Sequence, residues 1–356
     1  MADQINELVE QRVALETRLQ NEKGELSEAG ARSYDEAYSA LQRKLATRFK
    51  ALDDERDRIT VMLELMRILE NRLVYLHNFI VDPTADNRVL AQLVTQFIDD
   101  LAGRQTTVLT RLEATYYRAV AVLYAGNRAR AREGFTQACA SEESDEANDI
   151  KYKSYVILGH LSHDEQDFGR ARDLHEASLR YSQNNNVTAQ ALALKALNAY
   201  ALNDYAEALN LFQDALRLFD SGQPFFNSYF YRNALLFCGA IEFDRRDYDR
   251  AAHYYRQVLE NVEQSSYDYF DALSHLGRIA YAQGRFDEAV TSFEKAVQTH
   301  RFNDNVYLVD TWFWIARSHL KRNDAGQARP YLEKIAATDV SYEKKPQAIE
   351  LLKKIA

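Results

Sequence analysis

One short pattern recurs six times along this chain, and it constrains the fold more than any bulk property does. Five copies align without gaps: EQDFGRARDLHEAS, LNDYAEALNLFQDA, RRDYDRAAHYYRQV, QGRFDEAVTSFEKA and RNDAGQARPYLEKI. AGNRARAREGFTQA precedes them in weaker form. Each copy opens on a turn, continues with an aromatic or short residue, sets an alanine at a fixed offset and usually an aromatic four residues later. The alanines are Ala131, Ala171, Ala208, Ala251, Ala289 and Ala328, separated by 40, 37, 43, 38 and 39 residues. A near-constant period of this size predicts stacked supersecondary units, none of which buries its apolar face alone.

The physical content of the pattern is helix packed on helix. A turn such as Gly284-Arg285 ends one helix and Phe286 begins the next, with Ala289 where the two cross, since a larger side chain there would force them apart. Leu276-Gly277 supplies the small residue on the first helix, as do Leu158-Gly159 and Cys238-Gly239. Phe212, Tyr255 and Phe293 then fill the space toward the next pair. In these features the sequence resembles the tetratricopeptide repeat superfamily, QGRFDEAVTSFEKA being close to that family's second-helix signature. The resemblance spans about residues 110–340. It implies an all-α, right-handed superhelical solenoid of six helix pairs over 104–340, closed by a capping helix within 341–356. Two features depart from the family: the period exceeds its roughly 34 residues, and the closing proline of each repeat is missing. Stretches 141–149, 182–186 and 220–228 read as the loops that absorb the excess.

The first hundred residues follow a different rule. Ile5, Leu8, Arg12, Leu15, Leu19, Glu22 and Leu26 fall on steps of three and four. Ser33 and Glu36 form a capping box. From Tyr38 the same spacing runs through Leu41, Leu45, Arg48, Leu52, Glu55, Ile59, Met62, Met66, Leu69, Leu73, Leu76 and Ile80. The spacing predicts one helix over 34–80, roughly 65–70 Å long at 1.5 Å per residue, ending at Asp82-Pro83. Together these give a coiled-coil hairpin over 1–82, turning about Gly24–Gly30, and a connecting helix within 83–103. The overhang at 59–80 needs a cover, either the repeat array or a second chain. Leu45, Leu52, Ile59, Met62, Met66, Leu69, Leu73 and Leu76 are the candidate oligomerisation seam.

Composition narrows the function. A net charge of −9 opposes nucleic-acid binding, which needs excess Lys and Arg against phosphate. No secretory leader and no apolar run of membrane-spanning length is visible, so a cytoplasmic protein without membrane insertion is expected. Cys139 and Cys238, about a hundred residues apart, read as two buried thiols. His160, His163, Asp164 and His175 are the nearest approach to a metal or catalytic constellation, but zinc would need further ligands at a spacing the chain lacks. His175 takes a packing position held elsewhere by Phe or Tyr. No phosphate loop or nucleophile pairing is present, so no enzyme, cofactor or metal is expected.

In tetratricopeptide proteins the first helices of the pairs line the concave groove. Carried over position by position, the resemblance places there Lys153, His160 and His163 from the second pair, Tyr200 from the third, and Asn233 and Phe243 from the fourth. The fifth adds Asp271, Arg278 and Tyr281, and the sixth Arg317 and Lys321. At each position a solvated helix face competes with partner contact through aromatics and through Arg or Lys toward acidic groups. The Lys and Asn set that clamps a C-terminal dicarboxylate is replaced by Tyr116, Val156, Ala193, Leu236 and Ser274, which argues against that subtype. The leading expectation is a scaffold or adaptor that holds a protein or peptide segment in the groove and assembles through 34–80. The alternative is a regulatory sensor of a short peptide, a layout that also resembles bacterial peptide-pheromone receptors.

Overall fold

A computed structural model describes residues 2–20, 28–76, 85–103, 110–141, 145–219, 228–299 except 263 and 265, and 305–355. Among these residues the protein is helical throughout, with seventeen helices and no strand. Four precede the repeats: α1 (Ala2–Gln20), α2 (Glu28–Ala51), α3 (Glu55–Leu76) and α4 (Ala85–Gly103). Then come six antiparallel pairs: α5 (Arg111–Tyr124) with α6 (Arg128–Cys139), α7 (Asp145–Asp164) with α8 (Phe168–Leu179), and α9 (Asn185–Ala201) with α10 (Tyr205–Phe219). The last three are α11 (Ser228–Asp244) with α12 (Tyr248–Asn261), α13 (Tyr267–Ala282) with α14 (Phe286–Thr299), and α15 (Asn305–Lys321) with α16 (Ala325–Ala337). A terminal helix, α17 (Lys345–Lys354), follows. The chain divides into two compact units, one ending with α10 and the other beginning with α11.

The turn inside each pair explains why the motif recurs. Its central residue, Gly126, Gln166, Asn203, Arg246, Gly284 or Asn323, has φ between 59° and 86°. That left-handed residue ends the first helix in a Schellman arrangement: its own N–H and the next one bond back to carbonyls of the helix, as in Gln166 N to His163 O (2.8 Å) and Asp167 N to Ser162 O (2.9 Å). The next residue then serves as N-cap of the second helix. Asn127, Asp167, Asp204, Asp247 and Asp324 each accept from the N–H three residues on at 3.1–3.2 Å. One residue thus satisfies orphan groups of both helices, and a two-helix unit closes with a very short connection.

Packing inside the pair follows from the same origin. Five residues after the left-handed residue stands the motif alanine, fully buried in all six pairs. Nine residues after it stand Phe135, His175, Phe212, Tyr255, Phe293 and Leu332, each no more than 1% exposed. Seven residues before it the first helix carries Ala119, Gly159, Ala196, Gly239, Gly277 or Ala316. At Gly277 an added Cβ would lie 2.7 Å from the Phe293 ring, and at Gly239 2.8 Å from that of Tyr255. Here the absence of a side chain is required by close approach.

The first unit departs from the expected hairpin. The helix expected over 34–80 is broken: α2 ends at Ala51, Leu52–Asp54 are non-helical, and Asp54 Oδ1 accepts from the Asp57 N–H (2.9 Å) to cap α3. Helix α2 also starts before Ser33, so the Ser33–Glu36 capping box has no terminus to serve. Helix α3 folds back on α2, and both contact α1. The seam is accordingly spent inside the chain. Leu45, Leu52, Met62, Met66 and Leu69 are at most 3% exposed, in one core with Val94 and Ile98 of α4, Tyr116 and Val120 of α5, and Ile157 and Leu161 of α7. Ile59 is half-buried; the side chains of Leu73 and Leu76, like residues 21–27 and 77–84, lie outside the described residues. Arg12, a polar break in the expected seam, is buried and ion-paired to Glu64 of α3 and to Glu16. These described seam side chains are covered by the chain's own helices.

In the second unit, α17 packs against the sixth pair. Ala348 is fully buried against a core containing Val309, Phe313, Leu332 and Ile335, with Leu351, Leu352 and Ile355 packed beside it. A buried ion pair joins Arg232 of α11 to Asp268 at the start of α13.

Candidate partner-binding face

The groove candidates all stand on first helices, but most are already engaged. In the first unit Lys153 reaches Glu70 of α3 (2.8 Å) and Asp149 (2.7 Å). Burial opposes the Lys153 charge, yet the two carboxylates outweigh it and hold its pKa above the usual lysine range. Glu70 also accepts from the Tyr116 hydroxyl (3.0 Å). Helix α3 therefore lies against the first helices of the first two pairs, on the side expected to be open.

His160, His163 and His175 form a small polar network instead of a metal site. His163 Nδ1 donates to Asn198 Oδ1 (2.8 Å), while Asn198 Nδ2 donates to His175 Nδ1 (3.0 Å) and to the Leu194 carbonyl (2.7 Å). This assignment uses both N–H donors of the amide and one of its oxygen's two acceptor sites. His160 packs edge-on against His175 at 5.6 Å. Burial, then the neighbouring His160, holds His175 well below the ordinary histidine pKa, so it is a neutral core group. Among the described residues no cluster of His, Cys, Asp and Glu is placed to hold a metal. Cys139 and Cys238 are free thiols, Cys139 half-buried.

Aromatic candidates act as clasps across the turn. Three residues before the left-handed residue stand His163, Tyr200, Phe243 and Tyr281, and two after it stand Phe168, Tyr205, Tyr248 and Phe286. The rings pair edge-to-face at 5.1, 5.2, 5.7 and 5.4 Å. These contacts brace the two helices, a use that the position alone did not reveal.

The second unit holds the richest constellation, on α13 and α15. Asp310 accepts from Arg278, from Trp314 Nε1 (3.1 Å), from the Tyr342 hydroxyl (2.6 Å) and from Lys344 Nζ (2.9 Å). Burial would raise its pKa, but the Arg278 charge and the Tyr342 and Lys344 bonds prevail and keep the carboxyl below its usual range. Beside it Asp271 is raised to about 6 by burial and by the charge of Asp268, with Arg278 opposing. His275 is stacked on Tyr255 at 4.7 Å and lowered to about 3, by burial and then by Arg278, with Asp310 opposing. Phe243 touches His275 edge-on, and Asn233 is half-buried.

Arg317 differs from its neighbours. Its guanidinium lies 5.1 Å from the Trp314 ring centroid, 5.3 Å from Tyr281 and 5.8 Å from Phe313. Among the described residues it forms no ion pair and no hydrogen bond, and Lys321, one turn on, is exposed and likewise unpaired. The expected list missed Asp310, Trp314, Tyr342, Lys344, Glu70 and Asn198. Asp310 was within reach of the repeat register, since it stands thirteen residues before Asn323 as Asp271 does before Gly284. Tyr342 and Lys344 follow α16 outside any register.

A tetratricopeptide repeat family model matches residues 239–304, within the second unit. BtubC from P. vanneervenii is similar in structure, with a TM-score of 0.50 and 18% identity over 64% of this chain and 90% of that one. A signal-transduction ATPase with numerous domains from Pyrococcus horikoshii, carrying a tetratricopeptide repeat sensor, gives a TM-score of 0.55 at 15% identity. That match covers 90% of this chain and 49% of the other. The fold is a tetratricopeptide solenoid. No curated protein matches the sequence. Among the described residues no helix is long and apolar enough to cross a membrane.

Proposed function

We propose that the chain is a protein-interaction scaffold whose second unit binds a segment of a partner across the first helices α13 and α15. The observation that carries this reading is Arg317, a cation held on three aromatic rings with no acidic partner among the described residues, beside exposed Lys321. The charged groove candidates Lys153 and Arg278 are each engaged by neighbouring carboxylates. Exposed Val306 and Tyr307 on α15 add apolar contact at the start of the same helix. The chemistry is recognition, with no bond made or broken.

Affinity purification with mass spectrometry, comparing the wild type with Arg317→Glu/Lys321→Glu, tests this. These side chains are preferred to Arg278, whose reversal would break its contact with Asp310. Partners retained on the wild type and depleted at least fivefold on the variant support the reading; identical partner sets on two equally folded proteins would remove it.

A second reading, a sensor, is favoured by α3. Its Glu70 occupies Tyr116 and Lys153 on first helices of the first unit, where a competing peptide could displace it. Peptide binding that raises hydrogen exchange in α3 would support this reading, and unchanged exchange would count against it.

A further inference from the structure

In the repeat register Arg317 has a counterpart whose partner is visible. Arg278 stands six residues before the left-handed Gly284, and Arg317 stands six residues before the left-handed Asn323. The two arginines therefore occupy equivalent places on successive first helices. Arg278 is answered by Asp310, thirteen residues before Asn323 on the first helix of the following pair. Arg317 would be answered from the same position of a seventh pair. Of the carboxylates that follow α16, Glu350 is paired to Lys354 (2.6 Å) and Glu343 is near Lys344 (3.8 Å). Among the described residues no carboxylate meets Arg317.

The surroundings of Arg317 fit it to receive a carboxylate. Tyr281, Phe313 and Trp314 place their rings within 6 Å of the guanidinium carbon, which orients the planar group and strips part of its hydration. A half-buried, partly desolvated guanidinium attracts an anion more strongly than a solvated one, and its fork of N–H donors matches a carboxylate in two-point contact. Lys321 adds a second positive charge on the same helix. A phosphate backbone is a poor candidate for the anion, because the whole protein carries a net charge of −9.

Building on the partner-binding reading, we propose that Arg317 anchors an Asp or Glu side chain of the bound segment, so that the partner of the last helix pair is an acidic peptide. The segment supplies to Arg317 what Asp310 supplies to Arg278.

The probe is an array of terminally capped 12-residue peptides of random sequence, each acidic peptide printed beside its Asn/Gln counterpart, with binders confirmed in solution by tryptophan fluorescence. Both tryptophans of the chain, Trp312 and Trp314, lie on α15. The full-length wild type is expected to bind acidic peptides roughly fivefold to tenfold more tightly than their amide counterparts, on the order of one charge-assisted contact. That preference should vanish in Arg317→Gln and persist in Arg256→Gln, which removes an exposed arginine from α12. Should Arg317→Gln not fold, Arg317→Lys replaces it and is expected to lose most of the preference, since an ammonium cannot reproduce the fork. Peptides that bind without regard to their carboxylates, or a preference that survives in both Arg317 variants, would overturn the anchor while leaving the partner-binding reading in place. An array with no binder at all would overturn both.

Discussion

Replacing Asp310 by alanine is expected to loosen α17 and the segment before it from the sixth pair. Its carboxylate is the common acceptor for Arg278 on α13, Trp314 on its own helix, and Tyr342 and Lys344 in the segment leading to α17. A hydrogen bond to a charged acceptor contributes about 1.5–3 kcal/mol when buried. The Arg278 and Lys344 side chains are 34% and 32% exposed, so each contributes nearer ~0.5–1 kcal/mol. Adding the two neutral donors gives a net cost of ~2–4 kcal/mol for Asp310→Ala, with non-additivity keeping it below the plain sum. Two readouts separate this from a generic loss. The urea midpoint should fall, and amide exchange in 338–354 should accelerate well before exchange in α11 and α12. Because the Asp310 carboxyl is held below its usual range, its contribution is present above the unfolded-state value of about 3.9 and is lost as pH falls through the folded value. A variant whose midpoint stays within about 0.5 kcal/mol of wild type, with α17 equally protected, would refute the assignment of Asp310 as the tie.

Three further predictions rest on other parts of the fold. His175→Phe should cost ~1–3 kcal/mol by stranding the Asn198 amide, whereas His175→Phe/Asn198→Leu should recover part of it in a urea-midpoint cycle, because the only side-chain group then left without its partner is the half-buried His163 Nδ1, which water can reach. Gly284→Ala should destabilise by roughly 1 kcal/mol, since φ is 75° there, while Arg246→Gly at φ 63° should be neutral or mildly stabilising by thermal melt. His275→Phe keeps a ring against Tyr255 and removes a group lowered to about 3. In the wild type the unfolded chain takes up this proton from about pH 6.5 downward and the folded chain does not, so stability is lost as pH falls. Asp271, raised to about 6, acts in the opposite sense between about pH 6 and 3.9 in both proteins. The variant should therefore match wild type at pH 7.5 and exceed it by about 2.7 kcal/mol at pH 4.5, at about 1.36 kcal/mol per pH unit; an equal gap at both pH values would refute the assignment.

The repeats were legible because one register fixes several residue types at once: a left-handed turn, a small residue before it, an alanine and a large ring after it. The N-terminal region was misread because steps of three and four are satisfied equally by one long helix and by two helices folded about Leu52. The Asp53-Asp54-Glu55 cluster, a helix-start signal with Asp54 as cap, was the local clue. Burial of Arg12 against Glu64 could not be read from spacing, since its partner lies fifty-two residues away. The site followed the same logic. Offsets correctly placed Arg278, Tyr281 and Arg317 on first helices, but they do not say which side chains a neighbouring helix has already claimed. That depends on contacts such as Arg278 with Asp310, and Lys153 with Glu70.

Site-specific photo-crosslinking tests the central claim most directly, with the photoreactive residue at Lys321 on the proposed binding face or at Arg256 on α12. A bound partner segment predicts a discrete adduct from position 321 that Arg317→Glu abolishes, and none from position 256. Adducts of equal yield from both positions, or from 256 alone, would contradict it.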